Sequence, residues 1–158
     1  MDKISKYKQI DEQLKAVFAN EGHDRPISDM VKMVTLNSIL KREMTYFDWV
    51  GFYLLVADDM LEVGPYQGTV GCFFIPFGKG VCGAAAASGE TIIVPDVHAF
   101  PGHIACDTGT RSEIVVPVFR NGKLIAVLDV DSNQPAAFDA IDQSALESIL
   151  TQWFSSAE

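Results

Sequence analysis

The strongest constraint on this chain is local. Asn121-Gly122 stands between two apolar runs, SEIVVPVFR at 112–120 and KLIAVLDVD at 123–131. Asn-Gly readily takes the positive φ angles of a tight hairpin turn, so the two runs are expected to pair antiparallel. More strand-like segments precede them. WVGFYLLV from Trp49 is aromatic and β-branched and stops at Asp58-Asp59; MLEVGPY at 60–66, CFFIPF at 72–77 and TIIV at 91–94 have the same character. Between them VCGAAAASGE reads as a short helix ended by Gly89.

The ends of the chain have a different period. Over 4–20, Ile4, Tyr7, Ile10, Leu14 and Phe18 recur at helical spacing, and Gly22 breaks the pattern. Asp24-Arg25-Pro26 opens a second helical segment, with Ile27, Met30, Val31 and Val34 on one face and Met33, Leu36 and Leu40 on another. A helix apolar over so much of its surface is expected to be largely buried. A last helix follows Asp139 and carries Ile141, Leu146, Ile149, Leu150 and Trp153. The order predicts one α+β domain over 1–158: a mostly antiparallel central sheet, with the terminal helices packed together on one face.

From Pro95 to Thr110 no regular element is expected. So long a loop in a small domain usually has a job, and this one holds His98, His103, Cys106 and Asp107. Cys106 sits in the polar, glycine-punctuated run GHIACDTGTRSE, where a structural cysteine would be out of place. His103 and Arg111 are cations that could lower its pKa, and Asp107 would raise it. The other two cysteines are Cys72, behind the flexible lead-in GTVG, and Cys82, at the start of the short helix and so a candidate for simple burial.

The N-terminal MDKISKYKQIDEQL has no apolar signal core and no run is long enough to span a membrane, so a cytosolic location is expected. An odd set of three cysteines there argues for transient pairing rather than a structural framework. With no CxxC or CxxH pair, a metal centre is not expected, nor is a cofactor. The net charge of −9 argues against nucleic acid and anionic membranes as partners.

Acids close the list. Asp129 and Asp131, two apart on a strand, share a face, and their proximity raises at least one pKa, leaving a carboxyl able to donate a proton near neutrality. A strict two-residue turn pairs Glu113 with Val130 and turns it to the other face. One bulged residue would bring all three acids to one face. The sequence leaves both registers open. Trp49 and Tyr53, four apart, also share a face and read either as core or as the apolar wall of a ligand pocket.

The segments WVGFYLL, GPYQG, IPFGKGVCG, DVHAFPGHIACD, SEIVVPV and IAVLDVDS together resemble the free methionine-R-sulfoxide reductases, a family built on a GAF domain. The likeness runs from Trp49 to Phe138. Two positions depart from it: GTVGC replaces a GKPAC-like form before Cys72, and Ala126 replaces a glycine. The resemblance implies a pocket capped by the long loop, and reduction of free L-methionine (R)-S-oxide. It implies Cys106 as the attacking thiol, Cys72 as the resolving thiol with Cys82 as alternate, and Glu113, Asp129 and Asp131 around the sulfoxide, which favours the bulged register. It further implies Trp49 and Tyr53 at the methyl end, Asp96 near the substrate ammonium, and a thioredoxin-like protein as reductant; a homodimer stays open. Two other readings of the residues remain: a GAF-type sensor of a small molecule or redox state, and a thiol peroxidase. Turnover separates the first from an enzyme, and the choice of oxidant separates the second.

Overall fold

A computed structural model describes residues 1–19, 22, 24–104 and 106–156. Among these residues four α-helices and six strands form, in the order α1 (Lys3–Phe18), α2 (Asp29–Glu43), β1 (Trp49–Ala57), β2 (Met60–Gln67), β3 (Phe74–Pro76), α3 (Gly80–Ser88), β4 (Ile92–Val94), β5 (Ser112–Arg120), β6 (Lys123–Ser132) and α4 (Ala140–Phe154), with a single 3₁₀ turn, Val97–Ala99, in the long loop after β4. The strands make one sheet in the order β3-β2-β1-β6-β5-β4, antiparallel throughout. The β5–β6 turn has Asn121 at φ 50° and Gly122 at φ 77°, as their pairing at this point requires.

The two faces of the sheet have different tasks. On one, α1, α2 and α4 cover a core built from Phe52, Ile114, Val116, Val118, Leu128 and Val130, with Leu14, Leu36, Leu40, Leu146 and Phe154 from the helices. The layer is tied by Asp142, whose carboxylate accepts hydrogen bonds from Tyr7 Oη (2.7 Å), Tyr46 Oη (2.5 Å) and Lys3 Nζ (2.6 Å). Helix α4 starts at a reciprocal capping box between Asp139 and Asp142. On the other face α3 and the loop after β4 pack over Trp49, Tyr53, Leu61, Ile75, Val115 and Val127.

Expectations for three elements change. Helix α2 begins at Asp29, capped by Ser28, whose hydroxyl accepts from Val31 N–H, rather than at Asp24-Arg25-Pro26. It is not buried all round: Met33, Leu36, Ile39 and Leu40 face inward, while Met30, Val31 and Val34 are about half exposed. A helix on the outside of a single layer has only one side to bury. Ile4 of α1 is exposed for the same reason, and α1 stops at Phe18, the rest of the expected span reaching residues outside those described. The strand expected over 72–77 shortens to Phe74–Pro76, and Cys72 lies in the connection before it.

Candidate active site

The sheet face that α3 and the loop after β4 cover is the floor of a cavity, and register decides what stands on it. β5 and β6 pair as Val118 with Ala126 but as Phe119 with Leu124, so Ile125 is an extra residue on β6. This one-residue bulge makes Glu113 the partner of Asp131, and directly opposed residues share a face. On its other side Asp131 pairs with Trp49, and Asp129 pairs with Gly51. Three strands thereby set Trp49, Asp131 and Glu113 in one row, with Asp129 in the next. Of the two registers open from sequence, the bulged one is present.

Gly51 is needed in that row. A Cβ there would lie 2.8 Å from Trp49 Cη2, so its absence lets the indole lie flat across β1. Trp49 stacks on Tyr53 (5.8 Å between centroids) and on Tyr66 (5.0 Å). Its Nε1–H donates to the Thr69 carbonyl at 2.8 Å, fixing the loop that leads to Cys72. Thr69 Oγ1 donates in turn to Asp107 Oδ2 at 2.8 Å, beside Cys106. Cys72 and Cys106, 34 residues apart, are joined by a disulfide with Cα atoms 5.6 Å apart.

The cavity beneath is lined by Trp49, Tyr53, Cys82, Cys106, Glu113, Asp129 and Asp131, together with Val70, Ile75, Lys79, His103, Ile104, Asp107 and Thr110. It encloses only about 40 Å³ with the disulfide closed, room for about two or three water molecules. Cys106 is exposed at its mouth, and Cys72 is half-buried.

The floor is proton-rich. Burial, then the charges of Asp129 and Asp131, pushes the Glu113 pKa well above the usual carboxyl range. Asp131 is raised by burial and by Asp129; Asp129 is raised by burial, against hydrogen bonds from its neighbours that favour its charged form. Asp129 Oδ1 and Asp131 Oδ1 are buried without a hydrogen-bond partner among the described residues, leaving acceptors for an incoming donor. Cys82 is buried and in no disulfide, its sulfur and carboxyl oxygens of Glu113 and Asp129 mutually within 4.8 Å. Burial, then those acids, pushes its thiol pKa well above the ordinary value, so it is a thiol rather than a thiolate at neutral pH. His103 Nε2 lies 3.9 Å from Glu113 Oε1, but burial and then His98 lower its pKa. Helix α3 turns its first residues, Gly80, Val81 and Cys82, to the same cavity, and no side chain caps its N-terminus.

The structure thus brings together Trp49, Tyr53, Cys82, Cys106, Glu113, Asp129 and Asp131, with Cys72 bonded at the rim. Asp96 is not among them: it is exposed, its carboxylate accepts from His98 N–H, and it stands beside an apolar groove at β4. Arg111 is exposed and holds the loop by its backbone, its N–H donating to Ser132, so Lys79 and His103 are the basic groups at the cavity. Tyr66 and Thr69 were not singled out from sequence. Tyr66 lies in GPYQG and Thr69 in the departing GTVGC, and only the fold shows that both close on Trp49.

A GAF domain model matches residues 34–153. The chain belongs to the GAF-domain family, among the free methionine-R-sulfoxide reductases. It is 38% identical over 152 residues to the free methionine-R-sulfoxide reductase of Escherichia coli (strain K12), covering 96% of this chain and 88% of that one. It is 39% identical to GAF domain-containing protein A of Dictyostelium discoideum, over 94% of this chain and 90% of that one. The free methionine-R-sulfoxide reductase from Neisseria meningitidis, solved in complex with its substrate, superposes with a TM-score of 0.87 at 41% identity, over 96% of this chain and 87% of that one. Among the described residues no helix is long and apolar enough to cross a membrane.

Proposed function

We propose that this GAF-family oxidoreductase reduces free L-methionine (R)-S-oxide to L-methionine, using Cys106 as the attacking thiol and Cys72 as the resolving thiol. The observation that carries the reading is the Cys72–Cys106 disulfide at the mouth of a cavity floored by proton-holding carboxyls. In the reduced protein, Cys106 thiolate attacks the sulfoxide sulfur. The oxygen, which must gain a proton as its bond to sulfur weakens, faces Glu113, Asp129 and Asp131, raised carboxyls suited to supply it. The bond between that oxygen and the methionine sulfur breaks as the oxygen, now a hydroxyl, passes to the Cys106 sulfur; methionine leaves as the thioether and Cys106 becomes a sulfenic acid. Cys72 thiol displaces that oxygen as water and forms the disulfide. A thioredoxin-like dithiol then exchanges with it, regenerating two thiols and becoming oxidised itself. Trp49 and Tyr53 give the substrate methyl an apolar wall.

Selection for the free amino acid follows from its two charges. The buried acceptors of Asp129 and Asp131 suit an ammonium, and the uncapped N-terminus of α3 suits a carboxylate. The resemblance to relatives named for the R form is the ground for the stereochemistry. The test is consumption of NADPH through thioredoxin reductase and thioredoxin, with separated R and S forms of free methionine sulfoxide. Turnover on the R form alone is expected. No turnover on either form, in folded protein, would overturn the proposal in favour of a redox sensor.

A further inference from the structure

Resting on that reading, the return of electrons to the disulfide raises its own problem of recognition. A donor thiolate must bond to one of two sulfurs; the S–S bond breaks, the displaced cysteine takes a proton, and a mixed disulfide remains. The donor's second thiol then attacks that mixed disulfide, leaving both Cys72 and Cys106 reduced and the donor with a disulfide of its own. Whatever supplies these electrons has to touch the surface around the two cysteines.

That surface is apolar and solvent-facing. Val70, two residues before Cys72, is 72% exposed; Phe73, directly after it, is 67% exposed; Ile104, two residues before Cys106, is 37% exposed. Two residues span at most about 7 Å, so all three backbones stand within that reach of a bonded cysteine. Val70 and Ile104 also line the cavity mouth, whereas Phe73 does not. The Phe73 carbonyl accepts from Val63 N–H at 2.9 Å, which holds this residue at the edge of the sheet with its ring in water, while Ile75 and Leu61 fill the core on this side. A large apolar side chain left in water beside the atom that must be attacked is the mark of a partner's contact.

We infer that Phe73, with Val70 and Ile104, forms the docking surface for a dithiol protein of the thioredoxin class, which reads this apolar rim rather than the disulfide alone. A small dithiol needs only the sulfurs, so the rim separates the two kinds of reductant.

The experiment uses protein oxidised to the Cys72–Cys106 disulfide and follows its reduction by mass and by tryptophan fluorescence, without any sulfoxide. Reduced thioredoxin and dithiothreitol are the two probes, applied to wild type, Phe73→Ser, Phe73→Leu and, away from the site, Phe119→Ser. For Phe73→Ser the second-order rate with thioredoxin should fall about tenfold, with the dithiothreitol rate unchanged, recovery in Phe73→Leu and no effect in Phe119→Ser. An unchanged thioredoxin rate overturns the inference, as does an equal fall with both reductants, which would mean the disulfide itself had been disturbed. Because no sulfoxide is present, failure of methionine sulfoxide turnover would sink the proposed function without deciding this question.

Discussion

Replacing Glu113 by Gln keeps the size of the side chain and a hydrogen-bond donor but removes its transferable proton. Glu113 is 6% exposed, opposite Asp131, and holds that proton because burial and the neighbouring aspartates penalise its charge. A positioned proton donor contributes about 10²–10⁴ in rate. Asp129 and Asp131 remain as raised carboxyls, so the lower end applies: a fall of about 10²-fold. The assay is a single turnover. Pre-reduced protein is mixed with free methionine (R)-sulfoxide and released methionine is quantified after acid quench, so that reductant recycling does not enter. In wild type the rate should fall as pH rises through the elevated carboxyl range, since the acid form is consumed. A Glu113→Gln rate within about threefold of wild type would refute Glu113 as donor.

The same substitution has a thermodynamic signature of known sign. A carboxyl whose pKa is raised on folding binds more protons in the native than in the unfolded state, so stability falls as pH rises from the ordinary carboxyl range to the folded pKa. Over that window Glu113 costs about 1.4 kcal/mol for each unit by which its pKa is raised. Glu113→Gln should therefore be at least as stable as wild type near neutral pH, with a flatter dependence of Tm on pH. Slower chemistry in a protein that is no less stable separates a proton donor from a packing residue.

The remaining expectations concern the thiols and the helical layer. Cys106→Ser should abolish methionine release in the single-turnover assay; substantial activity would move the attacking role elsewhere. Cys72→Ser should release about one methionine per protein and then fail to cycle with a protein dithiol; full cycling would transfer the resolving role to Cys82. Asp139→Ala removes a cap that accepts from Ile141 N–H and Asp142 N–H, and a loss of about 1 kcal/mol in urea unfolding is expected with turnover unaffected; a large loss of activity would show that α4 does more than support the sheet.

Much of this architecture was readable from the chain because local chemistry and global packing agree. Asn121-Gly122 marks the hairpin, Asp139 caps α4, and Gly89 ends α3 at φ 69°. Helix α2 misled because Met30, Val31 and Val34 are as apolar as the residues it buries, and periodicity alone does not tell which side meets the sheet. Asp96 lies away from the cavity for a different reason. Its place in DVHAF matches the family segment, but its carboxylate is taken by the N–H of His98 two residues on. A loop residue's direction depends on turns that hydrophobic pattern does not encode.

The carboxyl cluster shows where such reading stops. Short of its two acids, β6 is apolar on both sides: Ala126, Leu128 and Val130 meet the terminal helices, while Val127 meets α3's layer. Alternation normally pins register because a slip would expose the core. Here a slip of β5 by one residue would exchange Ile114, Val116 and Val118 for Val115 and Pro117, one apolar set for another, so apolar pattern alone does not distinguish the two pairings. What separates them is the bulge at Ile125, a backbone event one turn of the hairpin away from the chemistry. It turns Glu113 from the helical core, where a lone buried carboxyl would have no company, to the face where Asp129 and Asp131 can share its proton. The site is therefore made less by which acids the chain carries than by an odd number of residues between them.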